Sequence, residues 1–93
     1  MRIRFLKQAW KDINWVDTYY EQFFPQGPAN FRESFEKTIS LLRENPMAGP
    51  KRKNRNLRTF PILKTPFRVV YKLTPTEIQI ARIMDMRSNR NLM

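Results

Sequence analysis

The spacing of apolar positions shifts repeatedly along this chain, and each shift marks a new element. Residues 2–7 (RIRFLK) alternate basic and apolar side chains, with Ile3 and Phe5 on one face, which predicts a short half-buried strand. From residue 8 to about residue 24 the step lengthens to three and four. Ala9, Ile13, Val16, Tyr20 and Phe23 then make a single helical stripe. Pro25, Gln26 and Gly27 interrupt it. Pro28 suits the first turn of a second helix, where its missing N–H leaves no bond unmade. Phe31, Phe35, Thr38, Ile39 and Leu42 form the inward face of that helix, which Asn45-Pro46 ends near Glu44. Glu33 and Lys37 stand four apart in the favourable order. Two helices joined by so short a link must lie antiparallel.

The remainder of the chain reads as strands. A basic loop over residues 46–56 carries the turn signal Gly49-Pro50. Residues 57–63 predict a strand that Pro61 confines to a sheet edge or a bulge, because proline has no N–H for a ladder. Thr65-Pro66 turns the chain into residues 67–73, where Phe67, Val69, Tyr71 and Leu73 alternate with Arg68, Val70 and Lys72. Thr74, Pro75 and Thr76 make the next turn. Residues 77–85 are apolar on both phases (Ile78, Ile80 and Met84 against Ala81 and Ile83), as expected of a strand covered on both sides. A polar tail, residues 87–93, follows. The predicted fold class is α+β: an N-terminal strand and an antiparallel two-helix hairpin packed on a mainly antiparallel four-stranded sheet, in one domain over residues 1–93.

Composition narrows the chemistry. The 93 residues include no cysteine and no histidine. A zinc centre and a thiolate nucleophile are thereby unexpected, and so is the usual general base near neutral pH. A reducing, cytoplasmic setting fits, no apolar run approaches the ~20 residues of a membrane span, and no leader pattern opens the chain. No cofactor and no metal are expected. Charge is lopsided, with 18 basic against 8 acidic residues and a net +10. After Glu44 the only acids are Glu77 and Asp85, so the second half is the more positive. Such a field favours an acidic partner, nucleic acid or protein. A solvated basic surface is the competing reading.

Several short stretches, in this order, resemble the RelE/ParE family of bacterial type II toxins. They are the opening strand ending near Phe5, the first helix with Ala9, Ile13 and Tyr20, and LLRENPMAG at residues 41–49. The strand PFRVVYKL then resembles the family's PYRIVYRV, and the closing strand resembles ILRVLHGRR, with Asp85 where many members have histidine and Arg87 at the first arginine. The resemblance implies the family's fold, a growth-inhibiting role and a cognate antitoxin as hetero-oligomeric partner. It also implies one of two activities. ParE-like members bind and poison DNA gyrase; RelE-like members cut messenger RNA on the ribosome.

The resemblance to the ParE-like branch makes Arg68, Arg82, Asp85, Arg87 and Arg90 the target-binding candidates, with Ser88 and Asn89 completing a polar cluster near the end of the chain. In the ribonuclease reading, Arg68 would hold the scissile phosphate through its bidentate fork. Lys51, Lys53, Lys64 or Arg87 would then serve in place of the missing histidine. Asp85 counts against that reading: an exposed carboxyl is a poor proton donor at neutral pH and repels phosphate. Arg68 also has plain structural readings, paired with Asp85 on the next strand or solvated. Lys51, Arg52, Lys53, Arg55 and Arg58 form the densest basic patch, but no aromatic is interleaved to stack on bases. Tyr71, inside a strand, reads as core. Trp15 and Tyr19 stand off the helical stripe and Trp10 flanks it; with Tyr20 they are the antitoxin-binding candidates. Core packing is the competing reading, strongest for Trp10. The favoured function is therefore gyrase inhibition by a ParE-like toxin, with messenger RNA cleavage second and an inactive relative third.

Overall fold

The structure, a computed structural model, describes residues 1–23, 27–52 and 56–86. Expectations placed on Phe24, Lys53, Arg55, Arg87, Ser88, Asn89 and Arg90 lie outside them. In chain order the elements are β1 (Arg2–Phe5), α1 (Lys7–Phe23), α2 (Gly27–Glu44), β2 (Arg58–Pro61), β3 (Phe67–Leu73) and β4 (Glu77–Asp85). The sheet order is β1-β4-β3-β2. The two later ladders are antiparallel, while β1 runs parallel to β4 with Ile3 opposite Ile78 and Phe5 opposite Ile80. β2 is an edge strand, and Pro61 sits exposed on it, as its lack of an N–H requires.

The core lies between the helices and one face of the sheet. Ala9 and Val16 from α1 and Phe31 and Leu42 from α2 are buried with Phe67, Val69, Tyr71, Ile78, Ile80 and Ile83. Its centre is aromatic. The ring of Phe31 stacks on Phe35 at 5.7 Å and on Tyr20 at 5.8 Å, and Phe67 meets Phe31 edge-on at 6.1 Å. The helices are tied where α1 ends and α2 begins: Tyr20 lies on Phe31, and Arg32 Nη2 donates to Asp17 Oδ2 at 3.2 Å. Glu33 and Lys37 pair at 3.2 Å with both side chains exposed, a contact good for about 0.3–0.5 kcal/mol.

The inward stripe of α1 is shorter than its spacing suggests, because Phe23 at the end of the helix is 59% exposed. β2 is also shorter than the predicted 57–63: Leu63 is exposed in a tight turn, where Lys64 takes a φ of 62°. Thr65 closes that turn by donating its N–H and hydroxyl to the Ile62 carbonyl and accepting the Phe67 N–H. Thr74 plays the same part between β3 and β4, its hydroxyl oxygen accepting the Thr76 and Glu77 N–H groups.

β4 corrects a sequence expectation. Its apolar residues on both phases do not mean that two faces are packed alike. Tyr71 pairs with Ile80 and Val70 with Arg82, so Ala81 is an extra residue, a bulge. The inward phase runs Ile78, Ile80, then Ile83, with Ala81, Arg82 and Met84 half-buried. A single phase shift explains the pattern.

Candidate functional site

The basic loop before β2 is built around one buried tyrosine. The Tyr71 hydroxyl donates to the Pro46 carbonyl at 2.8 Å and accepts the Gly49 N–H at 2.9 Å. Gly49 is needed for close approach: a Cβ there would sit 2.5 Å from the Thr59 carbonyl oxygen and 2.7 Å from the Tyr71 hydroxyl. Arg58 Nη1 donates to the carbonyl oxygens of Gly49 (2.8 Å) and Met47 (3.4 Å). The backbone continues the seam, Arg52 N–H donating to Leu57 at 2.7 Å and Thr59 N–H to Pro50 at 3.3 Å. Arg58, counted by sequence in the basic patch, is thus a clamp on the loop, while Lys51 remains exposed. Burial holds the Tyr71 hydroxyl above its ordinary value of 10.0, against the opposing pull of the Gly49 N–H and Arg58.

Arg68 lies mid-strand on β3 opposite Met84, and Asp85 lies opposite Phe67. Adjacent residues of a strand alternate faces. Among the described residues no ion pair joins Arg68 to Asp85, which has its own partner, and Arg68 Nε is buried with no hydrogen-bond partner. Lys72 is four residues along the same strand, roughly 13 Å away at a strand's rise, and Lys64 projects from the turn beyond the other end.

Arg82 is differently placed. Its Nε and Nη2 donate to the two oxygens of Asp12 at 2.7 and 3.3 Å, and the Ile83 N–H donates to Asp12 Oδ2 at 3.0 Å. Gln8 Nε2 adds a fourth donor at 3.2 Å. The Asp12 side chain is 13% exposed and that of Arg82 35%. With Arg82 about a third open to solvent and the Gln8 bond exposed, screening lowers the value of each bond, but a bidentate pair that also takes a backbone N–H still exceeds the few tenths of a kcal/mol of the exposed pair on α2. Sequence reading missed Asp12. The signal was present: Asp12 falls three after Ala9 and four before Val16, a charged residue on the buried stripe.

The aromatic candidates divide. Trp15, 56% exposed, stacks on Tyr19 at 5.5 Å, and Tyr19 meets Phe23 at 5.2 Å, giving a partly exposed aromatic row on α1 whose Trp15 and Tyr19 rings also meet buried Phe67 edge-on at 6.5 Å. Phe23 belongs to this row, though its spacing suggested core. Trp10, the candidate most open to a core reading, is 54% exposed and leans on Phe5 at 5.0 Å. Tyr20 instead packs inward on Phe31 and Phe67.

No curated protein matches the chain in sequence. A profile of the ParE toxin of type II toxin–antitoxin systems, parDE, matches residues 3–90. Among solved structures, a chain of the chromosomal ParDE toxin–antitoxin system from P. aeruginosa superposes with a TM-score of 0.79 at 22% identity, over 91% of this chain and 95% of that one. YafQ from E. coli strain BL21(DE3) gives 0.62 at 16% identity, over 94% and 96%. The YoeB dimer from Staphylococcus aureus gives 0.58 at 18%, over 88% and 92%. At these identities the superpositions establish the fold. With the profile they define the class: a toxin of type II toxin–antitoxin systems with the RelE/ParE architecture. Within that class, the chain belongs to the ParE toxin family. Among the described residues, no helix is long and apolar enough to cross a membrane.

Proposed function

We propose that this protein is a cytoplasmic ParE-like toxin that inhibits growth by binding and poisoning DNA gyrase, and that a cognate antitoxin neutralises it in a hetero-oligomer. The observation that carries this reading is the ParE toxin profile running through residues 3–90. The residue inventory supports it, because the sequence has no histidine to move a proton in RNA cleavage. Target contact falls to Arg68, Asp85, Arg87 and Arg90. Arg82, tied to Asp12, acts behind them. The antitoxin's C-terminal segment covers the helical hairpin and sheet edge, folding as it binds, with Trp10, Trp15 and Tyr19 as anchors and Tyr20 as the support beneath. The complex between DinJ and YafQ, a likeness at a TM-score of 0.64 and 16% identity, supports the pairing of this fold with an antitoxin.

One observation favours a second reading, ribosome-dependent cleavage of messenger RNA. Arg68 keeps a buried Nε with no hydrogen-bond partner and no ion pair among the described residues, and such a guanidinium is suited to phosphate. Pulse labelling just after induction without antitoxin separates the two. Thymidine incorporation falling first, with translation continuing, is the expected result. Methionine incorporation collapsing first would transfer the function to the ribonuclease reading. Two variants sharpen the test by degree: removal of residues 87–93 should weaken arrest more than Arg68→Ala in the gyrase case, whereas Arg68→Ala should abolish it in the ribonuclease case.

A further inference from the structure

β1 stops at Phe5 opposite Ile80, so from Ala81 onward no strand among the described residues lies beside the outer edge of β4. α1 packs on β4, and one of its side chains closes that edge. Asp12 accepts from Arg82 Nε and Nη2 and from the backbone N–H of Ile83, two consecutive residues that directly follow the bulge. Because side chains alternate along a strand, β4 in regular register, with Ala81 paired instead of bulged, would carry Arg82 and Met84 inward and Ile83 outward. The Asp12 contacts match the bulged form: the Ile83 N–H points to the open edge while the Ile83 side chain stays in the core.

We infer that Asp12 is a positioning residue whose carboxylate latches the β4 bulge and so sets the face that residues 83–86 present at the end of the sheet. The inference rests on the reading above that this end of the sheet meets the target. Asp12 itself touches no target; it acts through Arg82 and the Ile83 backbone. Arg82 is accordingly part of the latch.

The test compares Asp12→Ala, Asp12→Asn and Val16→Ala, a core change outside the latch, with the unaltered chain. Two quantities are read: the amide-exchange rate of Ile83 relative to that of Val69, and growth arrest per amount of soluble chain. Asp12→Ala should raise the Ile83/Val69 ratio by about tenfold, the conversion of one lost shielded hydrogen bond, and weaken arrest by a similar factor. Asp12→Asn, whose amide oxygen still accepts the Ile83 N–H, should keep both near the original values. Val16→Ala should lower Tm at least as far while leaving the ratio and the arrest in place. An unchanged ratio in Asp12→Ala, full arrest by that variant, or equal loss of arrest in Val16→Ala would each overturn the inference. If Asp12→Ala does not accumulate in soluble form, Asp12→Leu, which keeps the side-chain volume and removes the acceptor, is read by the exchange ratio alone, where a rise supports the latch and no rise overturns it. Arrest is scored whatever the target, so a chain that stops protein synthesis first defeats the gyrase reading without altering this comparison.

Discussion

Tyr71 shows how a single side chain organises a segment that has little regular structure of its own. Its hydroxyl joins the Pro46 carbonyl to the Gly49 N–H, and Gly49 lies so close that no Cβ fits. Tyr71→Phe should therefore cost about 1–3 kcal/mol, since it strands two backbone groups in a shielded place. Gly49→Ala should cost a similar ~1–3 kcal/mol, through forced displacement of the Thr59 backbone. Urea unfolding monitored by Trp fluorescence measures both; a loss below the error of the fit would dismiss the clamp. The pH dependence follows from the raised Tyr71 value. The folded chain holds the phenol proton above the pH at which the unfolded chain releases it. Stability from this group is thus present below the unfolded value of 10.0 and declines as pH rises beyond it. Unfolding curves between pH 9 and 11 should show that decline in the native chain and a shallower one in Tyr71→Phe.

Elements depend on local features that sequence patterns resolve unevenly. Both long strands, β3 and β4, have the limits their alternation predicts, and the edge position of β2 follows from Pro61. The β2–β3 turn does not follow so simply, because Lys64 is neither glycine nor asparagine and still takes a left-handed φ of 62°. Left-handed backbone costs a residue with a Cβ about 1–2 kcal/mol, partly offset by the greater unfolded-state freedom of glycine. Lys64→Gly should consequently leave stability unchanged or raise it by up to about 1 kcal/mol, and Lys64→Val should lower it. A Tm that falls in Lys64→Gly would mean that the lysine side chain supports the turn. The bulge at Ala81 was equally hidden: two apolar phases read as burial on both faces, and only pairing with β3 reveals the extra residue.

At the scale of the whole molecule, charge and exposed aromatics define two different surfaces. Trp15, Tyr19 and Phe23 form a partly exposed aromatic row along α1 beside Phe67, and Trp10 stands near β1. Trp15→Ala should change stability by less than about 1 kcal/mol, because the ring is more than half exposed. It should weaken antitoxin binding by at least about tenfold, as loss of an aromatic anchor does. Calorimetry of the purified pair decides, and an unchanged Kd would remove Trp15 from the interface. The net charge of +10 adds a sequence-independent attraction. Binding to an acidic partner should weaken as salt is raised from 50 to 200 mM.

By itself the sequence determined the order and kind of the elements, the edge strand, the aromatic core and the absence of histidine. These depend on local spacing and composition, which are written along the chain. The resemblance to its family was also legible there, since it rests on short ordered motifs. Tertiary structure alone decided the partners of the charged groups. Asp12 and Arg82 lie 70 residues apart, Gly49 and Tyr71 lie 22 apart, and nothing local selects such pairs. It also separated Tyr20, packed inward, from Trp15, left outside on the same helix. Helical spacing gives a residue's angle on its helix, but where the neighbouring layer ends determines whether that angle is covered.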